Sequence, residues 1–435
     1  MTPRAAARRP QRSRGTHRTG ILRGQGAALT LATGGAVLGW FLPLWEKHLP
    51  APGLTFDAST AQAALGAVAG SMITLAGFIV TAITLVVQTV QSMSSRLVAA
   101  LGRFSRFLVL FGLLIGTALY ALVTLSHIRG DSVPRLSVTL AVALVLLDAV
   151  VVLHLLASLR HAVTGGGLSR AVGECLRVSM RQVHPVTAET SSVPPPAPRP
   201  NGFSVVHRGR PAVITSIDEG RITRLADRKH LRIRLKYAVG DRITTGDVVA
   251  HVEPEGAAAG PSLDRRILAC FRVGPSRALE QDTAYGFRLL ADIAVRALSP
   301  GINDPTTAVQ ALDQVEDALL QLADRTLGPV WLLDRHGTPR VNLPAPQWAD
   351  VVSVALDETL LYGSSSLQTA RRLNALLQRL IATVPAERRP SLAERADALQ
   401  RLTATCFPDP FLHRVAGHSD SRGLGGPPGG RAGPR

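Results

Sequence analysis

The chain has 435 residues, enough for two or three domains. Apolar residues make up 46% and charged ones only 18%, too few charges for an ordinary soluble protein. The net charge of +17 is unevenly placed, with arginines crowded against a long apolar segment and no aromatic residue among them before Trp40, which favours a membrane surface and excludes a nucleic-acid footprint.

Residues 1–26 form a basic tail, expected to be disordered, with Arg4, Arg8, Arg9, Arg12, Arg14, Arg18 and Arg23 and no acidic residue. Such a tail suits anionic lipid. Four segments follow that reach the length of roughly 20 residues needed to cross a bilayer as helix. They lie at about 27–45, 61–90, 107–126 and 136–159, within a membrane domain of residues 27–160. Trp40 and Trp45 suit an interfacial aromatic belt at the end of the first. That segment is longer than a signal-peptide core and lacks a small-x-small cleavage site after it. Arg96, Arg103 and Arg106 follow span two and Arg160 follows span four, whereas the other loops hold Lys47 in one and Arg129 and Arg135 in the other. With the basic tail, this balance places both termini on the cytoplasmic side of the inner membrane.

Span two carries a periodic seam. Ala63, Gly66, Gly70, Thr74, Gly77, Thr81, Thr84, Gln88 and Gln91 recur at steps of three and four on an otherwise Ile, Leu and Val helix. Such a seam joins helices closely, and a homo-oligomer is expected from it. The sharper reading is that Thr74, Thr81, Thr84 and Gln88 line a wet path. Asp148 lies near the middle of span four, where a carboxylate costs about 3 kcal/mol. It must face the bundle, be protonated or find a donor, for which the span-two hydroxyls are candidates, and it either binds a cation or relays a proton or else fixes helix packing.

Residues 184–200, "HPVTAETSSVPPPAPRP", have the composition of a semi-rigid linker. Residues 201–260 alternate as strands do. "LRIRLKY" sets Leu231, Ile233, Leu235 and Tyr237 on one face, and Gly-Asp turns flank short apolar runs, as in a compact barrel-like module. Residues 261–416 are expected to be mainly helical, with helices over 278–298, 305–325, 347–383 and 392–405 and a hairpin turning at His336-Gly337. Asp292 and Arg296 have the spacing of a surface pair, and Ser391 and Glu394 that of a capping box. Residues 417–435, rich in Gly and Pro, are expected to be disordered. Cys175, Cys270 and Cys406 are scattered and odd in number, which excludes a disulfide framework and a zinc knuckle.

The stretch "RALSPGINDPTTAVQALD" separates two helical patterns. Pro300-Gly301 ends one helix, and Asp304 before Pro305 starts the next. A corner accounts for all of it. The functional alternative is a polar or anionic ligand at the new helix N-terminus, held by Ser299, Asn303, Asp304 and Thr306. Dinucleotide, P-loop and His-Glu-x-x-His patterns are absent, so no catalytic residue, cofactor or metal ligand is indicated.

The segment "RALSPGINDPTTA", with Asp282 and "LLADIA" before it and "ALDQ" after it, resembles the signature of the domain of unknown function 2254 family of predicted bacterial membrane proteins. "ITSID" and "GDRITTGDVVAHV" are similar too, and the likeness extends from the first span to the last helix. It implies four spans and a soluble C-terminal region, and supplies no catalytic residues. The expectation is therefore a four-helix transmembrane bundle followed by a soluble α+β region. Its function would be that of a non-enzymatic channel-like or sensor protein. A membrane-anchored enzyme or ligand-binding sensor built on the corner is one alternative, and a scaffold that docks a partner is another.

Overall fold

The computed structural model describes residues 5–10, 17–46, 56–93, 104–128, 133–163, 166–186, 191–193, 202–254 and 262–425. It divides into two compact units, Arg14–Gly167 and Met1–Ser13 with Leu168–Arg435. The first strand, β1 (Ala5–Arg8), precedes the membrane helices in the chain but belongs to the second unit.

The first unit holds α1 (His17–Glu46), α2 (Ala58–Met93), α3 (Phe104–Leu125) and α4 (Arg135–Val163). All four are long and apolar enough to cross a membrane, over Gly24–Glu46, Ala58–Leu85, Phe107–Leu125 and Arg135–Ala157. A helix satisfies its backbone polar groups internally, the condition for lying in lipid, save where Pro43 of α1 lacks an N–H. On α2 the buried stripe is Ala61, Leu65, Ala69, Met72, Ala76 and Ile79. The seam of Gly66, Gly70, Thr74, Gly77, Thr81, Thr84 and Gln88 looks outward from the unit, and a Cβ added at Gly66, Gly70 or Gly77 would meet nothing within 4 Å.

Close helix contact is made elsewhere, between α1 and α3. A Cβ on Gly35 would collide with the Gly116 carbonyl, and one on Gly39 would stand 2.7 Å from the Tyr120 carbonyl oxygen. A Cβ on Gly112 would run into the backbone of Ala28, and one on Gly116 would stand 2.6 Å from the Leu31 carbonyl oxygen. Gly35 and Gly39 on one helix, and Gly112 and Gly116 on the other, are each four apart, the spacing that brings two helix backbones together. Glu46 then closes one end. Its carboxylate accepts from the Leu136 and Ser137 amides at 2.6 and 3.1 Å, capping α4.

The second unit continues with α5 (Gly167–Val183), β2 (Ser191–Val193), β3 (Phe203–Val206), β4 (Ala212–Ile217) and α6 (Glu219–Arg228). After these come β5 (Leu231–Leu235), β6 (Arg242–Ile243), β7 (Val248–Pro254), α7 (Ser262–Leu268) and β8 (Phe271–Gly274). The chain ends with α8 (Thr283–Ala297), α9 (Pro305–Leu322), β9 (Val330–Leu333), β10 (Pro339–Leu343), α10 (Trp348–Gly363), α11 (Leu367–Thr383), α12 (Arg389–Cys406) and α13 (Pro410–Gly417).

A seven-stranded mixed sheet runs β2-β1-β9-β10-β5-β7-β3, and a second sheet runs β6-β4-β8. Leu231, Ile233 and Leu235 do alternate into a core, with Val205, Val252, Leu332 and Val341 around them. The strands of 203–254 are not a separate body, however. Val341 of the distant hairpin pairs in parallel with Ile233, and Ala7 pairs in parallel with Trp331. The basic tail is thus structured over Ala5–Arg8, and the proline-rich linker contributes β2, whose Ser191–Val193 pair with Ala5–Ala7. Composition alone makes the first a disordered tail and the second a semi-rigid linker. Sheet hydrogen bonds from partners far away in sequence override that expectation.

Other local expectations change for similar reasons. Residues 347–383 are two helices, broken at Ser364–Ser366, where the Ser366 side chain accepts from the Thr369 amide and starts α11. Asp292 pairs with Arg288 at 2.6 Å rather than with Arg296, because Arg288 also meets Glu358 of α10. Ser391 donates to the Arg388 carbonyl instead of forming a capping box, and the capping box lies at Gln347 and Asp350. The C-terminal tail is ordered to Gly425, since Asp420 accepts from the amides of Arg422, Gly423 and Gly425.

The α1–α3 contact gives a direct test. Gly35→Leu should destabilise the full-length chain in detergent by about 1–3 kcal/mol, read as a lower unfolding temperature. Gly66→Leu, on an open face, should leave it unchanged. Equal effects from the two would contradict the packing.

Candidate functional site

Asp148 is fully buried in α4, and neither carboxylate oxygen has a hydrogen-bond partner among the described residues. Its polar neighbour is Thr117 of α3, also buried and unpartnered, and Thr124 lies two turns further along α3 in the same condition. The span-two hydroxyls do not serve Asp148. Thr74, Thr81 and Thr84 donate to the carbonyls of Gly70, Gly77 and Val80 one turn back, at 2.9, 3.1 and 2.9 Å. They lie on the outward side of α2, so spacing alone could not have shown which helix face meets α4. Gln88 is exposed on that side, and the side chain of Gln91 lies outside the described residues.

The corner after α8 brings Ser299, Asn303, Asp304 and Thr306 into one turn. The Ser299 carbonyl accepts from the amides of Ile302 and Asn303, and the Ala297 carbonyl from that of Asp304. Asn303 takes φ +47°, a left-handed conformation that asparagine tolerates better than most residues. Both carboxylate oxygens of Asp304 are used, one by the Thr307 amide at 3.0 Å and one by its hydroxyl at 2.5 Å. Pro305 occupies the first turn of α9. The turn's backbone and the Asp304 carboxylate are therefore satisfied locally, and Thr306 lies 3.5 Å from the Gln368 amide nitrogen.

A denser polar centre lies where β1 joins the second unit. Arg8 is buried and donates through Nη1 and Nη2 to the two oxygens of Glu219, at 2.7 Å each. Its Nη2 also reaches the Val183 carbonyl at the end of α5, at 3.5 Å. Fork-to-fork pairing of this kind is strong and fixed in direction. Leaving one partner alone in such a site costs about 3–5 kcal/mol. Asp218 positions the pair by accepting from the Arg221 amide and so starting α6 at Glu219.

His184 follows Val183 and is buried against the same arginine. Its ring lies 3.2 Å from the Thr326 carbonyl and 3.1 Å from the Thr283 hydroxyl. Burial lowers its pKa from 6.5 to about 4, and the positive charges of Arg8, Arg325 and Arg388 act the same way. Arg325 and Arg388 are held by carbonyls, Arg325 by that of His184 and Arg388 by those of Leu322 and Arg325. Neither α5 nor α6 was expected from the sequence. The four-residue spacing of Val172, Leu176 and Met180, and the Asp218 cap before Ile222, Leu225 and Ala226, are the signals that mark them.

Among the described residues, no group of three His, Cys, Asp or Glu side chains stands close enough to hold a metal ion. The chain matches the family described as "Predicted membrane protein (DUF2254)" over residues 27–379. It is 30% identical over 260 residues to an uncharacterised protein of Mycobacterium tuberculosis, covering 58% of this chain and 49% of the relative. An uncharacterised protein of Mycobacterium bovis matches to the same extent. The chain thus spans about half the length of the curated relatives it matches. No solved structure matches it.

The histidine gives a pH prediction. A pKa lowered in the folded state means that the unfolded chain binds the proton first, so stability is complete above 6.5 and falls as pH drops toward 4. The loss from this residue is on the order of 3 kcal/mol. His184→Gln should flatten the pH dependence of thermal unfolding in that window. Parallel curves for the two proteins would contradict the assignment.

Proposed function

The chain belongs to the DUF2254 family of membrane proteins, and from that premise we propose that it is a non-enzymatic, multi-pass sensor of the inner membrane whose soluble unit acts on the membrane helices. One observation carries this reading. Residues 5–8, ahead of the first membrane helix, pair with β9 in a sheet otherwise built from chain beyond the fourth. The soluble unit therefore holds the chain at both ends of the membrane segment. With four spans, both ends lie on one face of the bilayer, and the Arg balance favours the cytoplasmic face. A ligand or contact that loosens β1 alters a tether only residues 9–16 long that leads into α1. Such a device needs an element with two arrangements, and a short strand inserted between β2 and β9 and fixed by one buried ion pair is of that kind.

The outward seam of α2 supports a homo-oligomer, because Gly66, Gly70 and Gly77 leave room for a second helix backbone. Arg8 is taken by Glu219, so contact with anionic lipid falls to the other tail arginines. A second reading, permeation of a cation or proton, rests on Asp148, buried without a partner beside Thr117.

Hydrogen exchange on the full-length chain in nanodiscs tests the sensor. Arg8→Ala should raise exchange in Val330–Leu333 and also in the first turns of α1; a rise in the strand with α1 unmoved would remove the coupling. For permeation, Asp148→Asn should abolish proton or potassium flux into reconstituted vesicles. Unchanged flux, or none from the unaltered chain, would end that reading.

A further inference from the structure

A cleft of about 480 Å³ opens beside β1, lined by Arg9 and Pro10 after the strand, by one face of α6, and by Leu333, Asp334 and Arg335 of the β9–β10 turn. The α6 face is Gly220, Thr223, Arg224, Asp227 and Arg228, at helical steps of three, one, three and one. Its size falls within the range of small-molecule sites, roughly 300–1,000 Å³.

The charges in this cleft do not balance. Asp334 is committed to Arg340 at 2.9 Å and to the amides of His336 and Thr338. Asp227 faces Arg335 at 3.6 Å. Arg9, Arg224 and Arg228 are exposed and make no ion pair among the described residues. Arg224 and Arg228 stand one turn apart on the same face, where like charges repel unless something between them is negative. The Arg224 guanidinium folds back over Gly220, close enough that a Cβ there would stand 3.3 Å from its Nη1.

An independent observation points the same way. Thr223 lines this cleft, its residue is only 3% exposed, and its buried hydroxyl has no hydrogen-bond partner among the described residues. A buried hydroxyl left unpaired costs roughly 1–3 kcal/mol, which an oxyanion acceptor in the cleft removes. Guanidinium groups with a hydroxyl donor are the set that phosphate oxygens select, since each has several acceptor positions for planar N–H pairs.

We propose that this cleft binds a phosphate-bearing ligand, with Arg9, Arg224 and Arg228 contacting phosphate oxygens and Thr223 donating a hydrogen bond. The proposal rests on the sensor reading and gives it a ligand class. Arg9 directly follows the residue that locks β1, so a phosphate gripped by Arg9 and α6 together fastens the tether that leads to α1. The phosphate has two sources, a soluble phosphorylated metabolite or a lipid headgroup.

The test uses the full-length chain in nanodiscs of zwitterionic phosphatidylcholine, first without and then with inorganic pyrophosphate, against nanodiscs containing anionic phosphatidylglycerol without pyrophosphate. Either phosphate source should protect residues 219–228 and 333–338 from hydrogen exchange. Arg224→Gln and Arg228→Gln should each weaken pyrophosphate binding about tenfold, the worth of one charge-assisted hydrogen bond. Thr223→Val should weaken it several-fold without changing charge, and binding should decline as salt is raised. Arg401→Gln, an exposed arginine on α12, should bind as the unaltered chain does. Protection by phosphatidylglycerol alone supports the site with lipid as its source. Absence of protection by either source, or binding indifferent to all three cleft substitutions, overturns the proposal. Protection of α6 with exchange in α1 unmoved keeps the cleft and removes the sensor.

Discussion

A strand that precedes the first membrane helix is hydrogen-bonded into a sheet made by chain that follows the fourth. Everything in the second unit is arranged around that fact. β1 separates β2 from β9, so without it β2 has no partner and β9 becomes an edge. Arg8 fixes its register by reaching Glu219 on α6 and the end of α5 at once. A buried guanidinium tolerates few alternatives, because leaving its carboxylate places an unpaired charge in the interior. Burial, reinforced by the positive charges of three arginines, keeps the His184 imidazole neutral.

The membrane unit follows a different economy. In lipid no hydrophobic gain drives helices together, so contact depends on how closely backbones approach. Gly35, Gly39, Gly112 and Gly116 provide that approach between α1 and α3. The longer run of small residues on α2 lies on the opposite side from the residues α2 buries, and a Cβ at its Gly66, Gly70 or Gly77 would meet nothing among the described residues. Asp148 is the exception among the apolar contacts of α3 and α4. It keeps its place without a partner, together with Thr117, while Glu46 has its hydrogen bonds filled at the helix end.

Satisfied and unsatisfied polar groups therefore divide the candidate sites. The corner at residues 299–307 uses its own amides and the Asp304 carboxylate to turn the chain. Thr223, by contrast, lines a cleft with a buried hydroxyl that has no partner among the described residues, and exposed arginines stand around it. Leftover hydrogen-bonding capacity marks a place where something else belongs, and motif residues in a tight turn do not have it.

Local chemistry made much of this protein legible in its residues. The four apolar segments, the Asp304-Pro305 helix start, the alternation of Leu231, Ile233 and Leu235 and the hairpin at His336-Gly337 each depend on neighbours in sequence, and each appears in the structure. The resemblance carried by "RALSPGINDPTTA" identified the family for the same reason, since a turn motif is contiguous. What composition misread was the tail and the proline-rich segment, whose order comes from strands hundreds of residues away, and the C-terminal glycines, which Asp420 and Arg371 hold. Which face of α2 is buried, which helix meets Asp148, and that Arg9 and Arg224 share a cleft were settled only by tertiary packing. Periodicity names the faces of a helix but not their neighbours, because a neighbour is chosen by the rest of the chain.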